Sequence, residues 1–227
     1  MAGRPHALVT GASSGIGAAI VERLLRDGWR VTGISRRPAP SDHPAFDHLP
    51  IDLGDVGSLA SAVADIAPTA LVHAAGVLKV GQLGNLNHDD GAAMWRLHVD
   101  AAERLADALA PRLPDGGRIV FIGSRTASGA AGRGQYAATK AALVALARSF
   151  AMELAPRGIT VNVVAPAATE TPMLKDPTRA GVAPKLPPIG RFIRPDEVAA
   201  TVAFLLSGDA AVITGQQLVI CGGSSLS

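Results

Sequence analysis

The sequence is poor in cysteine and in clustered charge. Its 227 residues include one cysteine, Cys221, so an internal disulfide framework is excluded and a reducing compartment is expected. The formal net charge is only +2, and the arginines are scattered along the chain without a basic run. This pattern is typical of a solvated surface rather than of a nucleic-acid-binding patch, so we expect no nucleic-acid partner.

Long apolar runs are also missing. No uncharged apolar stretch reaches the roughly 18 residues that a membrane span needs. The N-terminus, MAGRPHALVTGASSGIG, passes directly into an apolar run and a glycine-rich segment, without the apolar region of a signal peptide. We therefore expect a cytoplasmic protein without membrane association. The residues that are present, 48% hydrophobic and 18% charged, are enough for a sizeable core.

Short apolar runs alternate with helical patterns along the chain. The predicted strands are Ala7–Thr10, Arg30–Ser35, Leu49–Asp52, Ala70–Gly76, Arg118–Gly123, Ile159–Pro166 and Gln217–Ile220. The predicted helices are Gly15–Asp27, Val56–Ile66, Asp90–Leu113, Tyr136–Leu154 and Pro195–Leu206. This alternation predicts an α/β fold, a single Rossmann-type doubly wound domain over residues 1–227 with about seven parallel strands and helices on both faces.

Two proline-rich segments interrupt the alternation. Arg37–Pro50 holds four prolines, and we predict an irregular connection there because proline removes a backbone donor and breaks helices. Pro166–Pro195 holds seven of the sixteen prolines. Loops of this length in a compact domain are usually lids or binding loops, so we predict a substrate loop at about residues 167–194.

A glycine-rich segment, TGASSGIG, lies between the first predicted strand and the first predicted helix. Glycines at 11, 15 and 17 allow a tight turn and a close approach of the backbone to a phosphate. The helix that begins near Gly15 would direct backbone N–H groups at that anion. A purely structural turn is the alternative reading, but the flanking strand and helix favour a nucleotide site.

The end of the second predicted strand indicates which nucleotide is bound. An acidic residue there would accept hydrogen bonds from a ribose 2′-hydroxyl. This chain has Ser35, Arg36 and Arg37 instead, and guanidinium groups suit a phosphate dianion. Two surface arginines are the simpler reading; their position favours recognition of a 2′-phosphate, and hence NADP(H) over NAD(H).

The only tyrosine, Tyr136, lies four residues before Lys140, so both fall on one face of the predicted helix. A neighbouring ammonium group lowers the pKa of a phenol, which makes the pair a plausible general acid and base. An interfacial tyrosine beside a surface lysine is the alternative. Ser124 ends a predicted strand and would bring a hydroxyl to the same edge of the sheet, since ligands of parallel α/β sheets bind outside the carboxyl ends of the strands.

Together these motifs resemble the short-chain dehydrogenase/reductase family from about Ala7 to Gly223. The resemblance implies hydride transfer between NADP(H) and a carbonyl compound or alcohol. It places Tyr136 as the proton donor or acceptor, Ser124 on the substrate oxygen and Lys140 on the nicotinamide ribose. The implied cofactor contacts are Gly11, Ser13, Ser14, Gly15, Ile16, Gly17, Ser35, Arg36, Arg37, Asp52, Leu53, Ala74, Ala75, Gly76, Tyr136, Lys140, Pro166, Ala167, Thr169 and Thr171. We assign no metal site.

The sequence departs from the family pattern at several positions. His98 stands where the family usually has an asparagine of a proton relay, so we place it with the candidate catalytic residues; a buried histidine without a catalytic part is the alternative. His73 and Ala74 replace the two asparagines of the usual N-N-A-G segment. The loop between Ser124 and Tyr136 is one residue shorter than usual, and Ser128 is a second candidate for the hydroxyl role.

Other function classes remain open from the sequence. A nucleotide-binding sensor or scaffold of the same fold would keep the glycine loop without turnover, because fold does not establish activity. A Rossmann-type methyltransferase would require an acidic residue after the second strand and would have no use for the Tyr136–Lys140 pair.

The substrate and the assembly are less defined. We expect a small-molecule carbonyl or alcohol substrate, with Arg125, Arg133, Lys175 and Arg179 available for an anionic group. The helix that contains Tyr136 is apolar around much of its circumference, which favours burial against a second subunit. We therefore expect a homodimer or a homotetramer.

Overall fold

Seven parallel strands form one sheet in the part of the chain that the computed structural model describes, residues 4–39, 41–175 and 185–226. The strands are β1 His6–Thr10, β2 Arg30–Ile34, β3 Phe46–Leu49, β4 Ala70–His73, β5 Arg118–Ile122, β6 Thr160–Pro166 and β7 Gln217–Ile220. Their order across the sheet is β3-β2-β1-β4-β5-β6-β7, and every neighbouring pair is parallel. The predicted doubly wound α/β fold is confirmed.

Helices cover both faces of the sheet. They are α1 Gly15–Arg26, α2 Leu59–Ala62, α3 His88–Trp95, α4 Ala101–Leu109, α5 Gly134–Leu154 and α6 Pro195–Leu206. Residues on α1 and α6 pack with one face of the strands, and residues on α2, α4 and α5 pack with the other. Successive strand residues supply the two cores in turn, as Ile119 and Val120 of β5 do, because side chains alternate across a sheet. None of the helices that the structure describes could span a membrane.

The third strand lies earlier in the sequence than predicted. It spans Phe46–Leu49, so the predicted strand Leu49–Asp52 is wrong, and so is the prediction that all of Arg37–Pro50 is irregular. Phe46 pairs with Val31 and Leu49 with Ile34 at the edge of the sheet. Pro44 and Pro50 flank the strand, and an edge strand tolerates proline at its ends because fewer ladder bonds are needed there.

Two predicted helices are shorter or less regular than expected. The predicted helix Val56–Ile66 reduces to Leu59–Ala62, with turns of the i to i−3 type around it. The predicted helix Asp90–Leu113 begins at His88 and ends at Leu109, and it is interrupted by a π-helical segment at Arg96–Asp100. Such segments often occur at functional sites because they displace one residue from the regular helical ladder.

The segment between β6 and α6 is largely irregular where the structure describes it. Pro172–Lys175 forms a 3-10 turn, and Thr169 pairs with Ile193 in an isolated bridge. Residues 176–184, which include Arg179, lie outside the described residues, as does Pro40. The assignment of residues 167–194 to a substrate loop, and of residues 1–227 to one domain, stays a prediction.

The outer side of α5 carries exposed apolar surface. Leu143 of this helix is buried in the core, whereas Met152 is 73% exposed. Leu146 and Phe150 are partly buried. This distribution agrees with the sequence argument that α5 has a second side to cover, and the expected dimer or tetramer stays a prediction.

The fold makes the buried phenylalanine of β5 a test of core packing. Phe121 is fully buried, so Phe121→Ala should lower the free energy of unfolding by about 3–5 kcal/mol through lost apolar contacts and the cavity left behind. Urea denaturation followed by circular dichroism measures the change. Leu83→Ala is the control, because Leu83 is 93% exposed and its truncation should cost less than about 0.5 kcal/mol. Equal losses for the two variants would contradict the assignment of Phe121 to the core.

Candidate active site

One cavity of about 1280 Å³ opens at the carboxyl ends of the strands. Every predicted site residue except His98 lines it. The predicted residues in its wall are Gly11, Ser13, Ser14, Gly15, Ile16, Gly17, Ser35, Arg36, Arg37, Asp52, Leu53, Ala74, Ala75, Gly76, Ser124, Tyr136, Lys140, Pro166, Ala167, Thr169 and Thr171. Parallel strands direct their carboxyl ends to the same edge of the sheet, which is why residues so distant in sequence meet there.

The glycine loop leaves no room for side chains at two positions. A Cβ atom on Gly17 would lie 2.2 Å from the carbonyl oxygen of Gly11, and one on Gly11 would lie 2.8 Å from the Cα of Ala75. Gly11 also has a φ of 70°, a conformation that favours glycine. The first turn of α1 contains no acidic residue and the Ser14 side chain does not cap it. The N-terminus of α1 therefore presents N–H groups and positive potential to the cavity.

The residues that follow β2 form another part of the cavity wall. Ser35 is buried there, while Arg36 and Arg37 are exposed beside it. The Ser35 hydroxyl donates to the carbonyl of Arg37 at 2.7 Å. The imidazole Nε2 of His48, on the neighbouring strand β3, lies 3.1 Å from both the Ser35 hydroxyl and the Ser35 carbonyl oxygen. Because a carbonyl only accepts, His48 Nε2 carries a proton, and the imidazole braces the turn that presents the two arginines.

A threonine and a histidine organise the ends of the central strands. The Thr10 hydroxyl oxygen accepts from the backbone N–H groups of Ala74 and Ala75, each at 3.1 Å. His73 Nε2 lies 3.1 Å from the carbonyl oxygen of Leu97, so it is the protonated ring nitrogen. His73 Nδ1 therefore accepts from the Thr10 hydroxyl at 3.0 Å. Burial, followed by the positive charge of Lys140, lowers the pKa of His73 to about 3, which keeps the ring neutral.

His98 lies behind the cavity wall, in the π-helical segment Arg96–Asp100, and is fully buried. Its Nε2 accepts from the backbone N–H of Val77 at 3.0 Å, which leaves Nδ1 protonated and able to donate to the Thr139 hydroxyl at 2.8 Å. The Thr139 hydroxyl in turn donates to the carbonyl of Tyr136. Burial, and then the charge of Lys140, lowers the pKa of His98 well below its usual value. The neutral ring thus connects the turn after β4 to helix α5.

The candidate acid–base groups meet at the centre of the cavity wall. Lys140 is almost fully buried, and its ammonium group donates to the carbonyl of Ile122 at 2.9 Å and lies 5.8 Å from the centre of the Tyr136 ring. Burial lowers the pKa of Lys140 to about 7, so its charge changes close to neutral pH. The edge of one ring faces the other where Tyr136 packs against His98, with centroids 5.6 Å apart. A buried phenol near an ammonium group is suited to proton transfer.

The two candidate serines, Ser124 and Ser128, have different surroundings in the structure. Ser124 lies at the end of β5, lines the cavity, and accepts from the backbone N–H of Thr126 at 3.1 Å. The Ser124 hydroxyl is the acceptor in this hydrogen bond, so its own proton can be donated to another group. Ser128 is exposed and donates to the carbonyl of Arg125 at 3.1 Å. The geometry therefore favours Ser124 as the hydroxyl of the site.

Three polar residues of this site escaped the sequence reasoning as site residues. They are Thr139, which joins His98 to α5, His48, which braces Ser35, and Thr10 as the acceptor for the turn after β4. The position of Thr139 between Tyr136 and Lys140 was visible in the sequence, but its partner was not. His48 lay in a segment predicted to be irregular, so no strand pairing was available to place it beside β2.

The buried His73 should make stability depend on pH. Below its ordinary pKa of 6.5 the unfolded chain binds a proton that the folded state refuses until about pH 3, so the free energy of unfolding falls as the pH falls through this window. His73→Asn, which keeps one donor and one acceptor, removes this contribution. Between about pH 6 and pH 4 the wild type should lose roughly 1.4 kcal/mol per pH unit more than the variant. Urea titrations at several pH values measure this, and parallel curves would contradict a neutral buried His73.

Comparisons with known proteins agree with this geometry. A family model described as enoyl-(acyl carrier protein) reductase matches residues 11–225. The 3-oxoacyl-[acyl-carrier-protein] reductase FabG of Salmonella typhimurium is 38% identical, over 96% of each chain. A short chain dehydrogenase family protein from Francisella tularensis has a solved structure with a TM-score of 0.90 at 27% identity, covering 99% of this chain and 100% of that one.

A solved structure of a short chain dehydrogenase from Burkholderia cenocepacia in complex with NADP is also similar. It is 34% identical, with a TM-score of 0.86, and the match covers 97% of this chain and 98% of that one. The sequence similarity, the fold and the cavity at the carboxyl edge of the sheet lead to one conclusion: the chain belongs to the short-chain dehydrogenase/reductase family of oxidoreductases.

Proposed function

We propose that this protein transfers a hydride between NADP(H) and a carbonyl compound or secondary alcohol, with Ser124, Tyr136 and Lys140 as its catalytic residues. One observation carries the proposal. A single cavity joins a glycine loop at a helix N-terminus to a buried tyrosine–lysine pair and a serine hydroxyl. A phosphate-binding loop alone, or an acid–base pair alone, occurs in proteins of many functions. The two together in the wall of one cavity suit hydride transfer to or from a carbonyl group.

The residues in the cavity wall fit a dinucleotide. The cradle between Gly11 and Gly17 would be filled by any Cβ atom, which suits the close approach of a pyrophosphate to the backbone. Asp52 and Leu53 line the cavity beyond β3, where an adenine would be held. Pro166 and Ala167 line the cavity at the end of β6, next to the end of β5 where Ser124 lies, and a nicotinamide would lie there. Thr169 also lines the cavity, and Thr171 lies beside the glycine loop, since a Cβ atom on Gly15 would be 3.3 Å from its methyl group.

The charges at the end of β2 favour NADP(H) over NAD(H). Arg36 and Arg37 are exposed to the cavity, and neither forms an ion pair with a carboxylate among the described residues. Ser35, held by His48, fixes the turn on which they stand. Guanidinium groups bind phosphate through charge-assisted hydrogen bonds. The similar short chain dehydrogenase from Burkholderia cenocepacia was solved in complex with NADP, which supports the same assignment.

The chemistry follows from the positions of the three side chains. NADPH supplies a hydride to the carbonyl carbon, and NADP⁺ accepts one in the reverse reaction. Ser124 donates its hydroxyl proton to the substrate oxygen and orients it. Tyr136 gives a proton to that oxygen during reduction and takes it during oxidation. The ammonium group of Lys140 stabilises the tyrosinate by its positive charge, which lowers the free energy of proton transfer.

We assign His98 a positioning role in this reaction. Both of its ring nitrogens are engaged, with Val77 and with Thr139, and its ring packs against Tyr136. It therefore holds the tyrosine and the turn after β4 at a fixed separation. A Cβ atom on Gly76 would lie 3.1 Å from His98 Nε2 and 3.6 Å from Lys140 Nζ, so a side chain at this position would press on the imidazole.

The proposed general acid can be tested by removing one oxygen. Tyr136→Phe keeps the ring that packs on His98 but cannot exchange a proton, so turnover of a carbonyl panel should fall about 100-fold or more. NADPH fluorescence titration should show cofactor binding close to that of the wild type. Turnover within about tenfold of the wild type would exclude Tyr136 as the proton donor.

The two serines provide a matched pair for the same assay. Ser124→Ala should reduce turnover strongly, whereas Ser128→Ala should not, because only Ser124 lines the cavity. The reverse result would transfer the hydroxyl role to Ser128.

The proposed cofactor preference can be tested by removing one charge. Arg36→Gln should weaken NADPH binding about tenfold, as expected for a charge-assisted hydrogen bond to an exposed phosphate, and should leave NADH binding unchanged. Fluorescence titration with each nucleotide measures both constants. Arg26→Gln, on the exposed end of α1, removes the same charge outside the cavity and is the control.

The outcomes of this titration separate the remaining readings. Tighter binding of NADH than of NADPH would overturn the role of Arg36 and Arg37 and keep an oxidoreductase. Binding of neither nucleotide would favour the sensor or scaffold that the sequence left open.

The expected cytoplasmic location stays a prediction.

A further inference from the structure

The cavity carries far more positive than negative charge. Its cationic side chains among the described residues are Arg36, Arg37, Arg96, Arg125, Arg133, Lys140 and Lys185. Asp52 is the one carboxylate among the described residues that line it. Side chains of one sign inside a cleft with apolar walls concentrate ions of the opposite charge. The ligands of this cavity are therefore expected to be anions. Cations that the phosphate groups of the cofactor do not contact would be available to bind the substrate.

The cofactor proposed above accounts for the arginines at only one end. Arg36 and Arg37 follow β2, whereas Arg125 follows Ser124 at the end of β5. In the sheet, β1 and β4 lie between these two strands, which puts their ends roughly 14 Å apart at the usual spacing of strands. A phosphate held by Arg36 and Arg37 thus leaves the charge of Arg125 unbalanced, at the end of the cavity where the catalytic serine lies.

Arg125 follows Ser124 at the end of β5 and lines the cavity. Cys221, the residue that follows β7, is close enough to feel its charge: hydrogen bonding from Ser225 lowers the pKa of the Cys221 thiol most, and the guanidinium of Arg125 lowers it further. Since β6 lies between β5 and β7, Arg125 and Cys221 lie on either side of the carboxyl end of β6. This end is formed by Pro166 and Ala167, in the region assigned to the nicotinamide.

A second segment closes this end of the cavity. The Ile189 N–H donates to the carbonyl of Gly222 at 3.0 Å. Cβ atoms on Gly222 and Gly223 would lie 2.6 Å from Ile189 and 3.1 Å from Pro188, so the two segments are in close contact. This contact brings the chain from Lys185 to Pro188 beside the turn that follows β7.

We name the resulting wall the basic end. It is formed by Arg125, Lys185, Leu186, Pro188 and Ser224, all of which line the cavity. Arg125 is partly buried and Lys185 is exposed, and neither is in an ion pair with a carboxylate among the described residues. Leu186 is 57% exposed. The basic end therefore combines two cations and a hydroxyl with apolar surface.

We propose that the substrate carries an anionic group, a carboxylate or a phosphate monoester, which binds Arg125 and Lys185 while its carbonyl faces Ser124 and Tyr136. This inference rests on the proposed function and adds the substrate class. Ser124 and Arg125 are consecutive in the chain and line the same cavity, so one small molecule can contact both side chains. A guanidinium group binds either anion with paired, charge-assisted hydrogen bonds, whereas a neutral ketone gives Arg125 no anionic partner.

Binding of unreactive pairs tests the inference without turnover. Protein saturated with NADP⁺ cannot reduce a ketone, so calorimetric titration measures binding alone. The probes are 4-oxopentanoate against its methyl ester, and dihydroxyacetone phosphate against dihydroxyacetone. One anionic member should bind about ten- to a hundredfold more tightly than its neutral partner, and the pair that shows this difference identifies the carboxylate or the phosphate.

Single substitutions test whether the anionic group of the ligand binds at the basic end. Arg125→Gln should remove the preference for the anion while leaving the neutral ketone unaffected, and Lys185→Gln should reduce it partially. Arg26→Gln, with the same change in net charge, should behave as the wild type. The inference is overturned if both anions bind no better than their neutral partners, or if Arg125→Gln keeps the preference. Failure of the proposed function would appear separately, as absence of NADPH binding in the fluorescence titration described above.

Discussion

The site depends on the hydroxyl group of Thr10. It accepts from two backbone N–H groups of the turn after β4 and donates to His73, whose other nitrogen donates to the carbonyl of Leu97. Each donor and acceptor in this network has a partner, which is what a buried polar network requires in order to stabilise a fold. The network joins β1, β4 and the π-helical segment, so the wall of the cavity from Ala74 to Val77 is fixed by the central strands.

A second network continues from that wall to the proposed acid–base pair. His98 Nε2 accepts a hydrogen bond from the backbone N–H of Val77, and His98 Nδ1 donates to the Thr139 hydroxyl. That hydroxyl donates in turn to the carbonyl of Tyr136. The family pattern has an asparagine in place of His98, and here an imidazole with both nitrogens engaged takes the position. Burial makes a charged ring costly, so His98 and His73 remain neutral and add no positive charge to that of Lys140. Lys140 therefore supplies the positive charge that lies 5.8 Å from the centre of the Tyr136 ring.

Electrostatics divides the cavity into regions with different tasks. The N-terminus of α1 and the glycine loop offer N–H groups, the end of β2 offers two guanidinium groups, and the basic end offers Arg125 and Lys185. Acidic side chains are almost absent from the described wall, with Asp52 as the exception. A dinucleotide with a phosphate on its ribose and a substrate with one anionic group would balance these charges along the length of the cleft.

The sequence by itself determined the fold class, the strand that precedes the glycine loop and the pairing of Tyr136 with Lys140. These features depend on local rules: apolar periodicity, the conformational freedom of glycine and the geometry of one helical turn. It did not place β3, because Phe46–Leu49 is a short edge strand between prolines, and its pairing with β2 is a long-range contact. It also did not show the π-helical segment, since side-chain periodicity carries no signal for one displaced hydrogen bond.

Only the tertiary structure decided how the polar residues are used. Strand order put Thr10 beside His73, His48 beside Ser35 and Arg125 near Cys221, and none of these pairs is close in sequence. It likewise placed His98 behind the cavity wall, fully buried and hydrogen-bonded to Val77 and Thr139. The physical reason is that hydrogen bonds and charges act over a few ångströms in space, and the packing of the sheet determines which groups come within that distance.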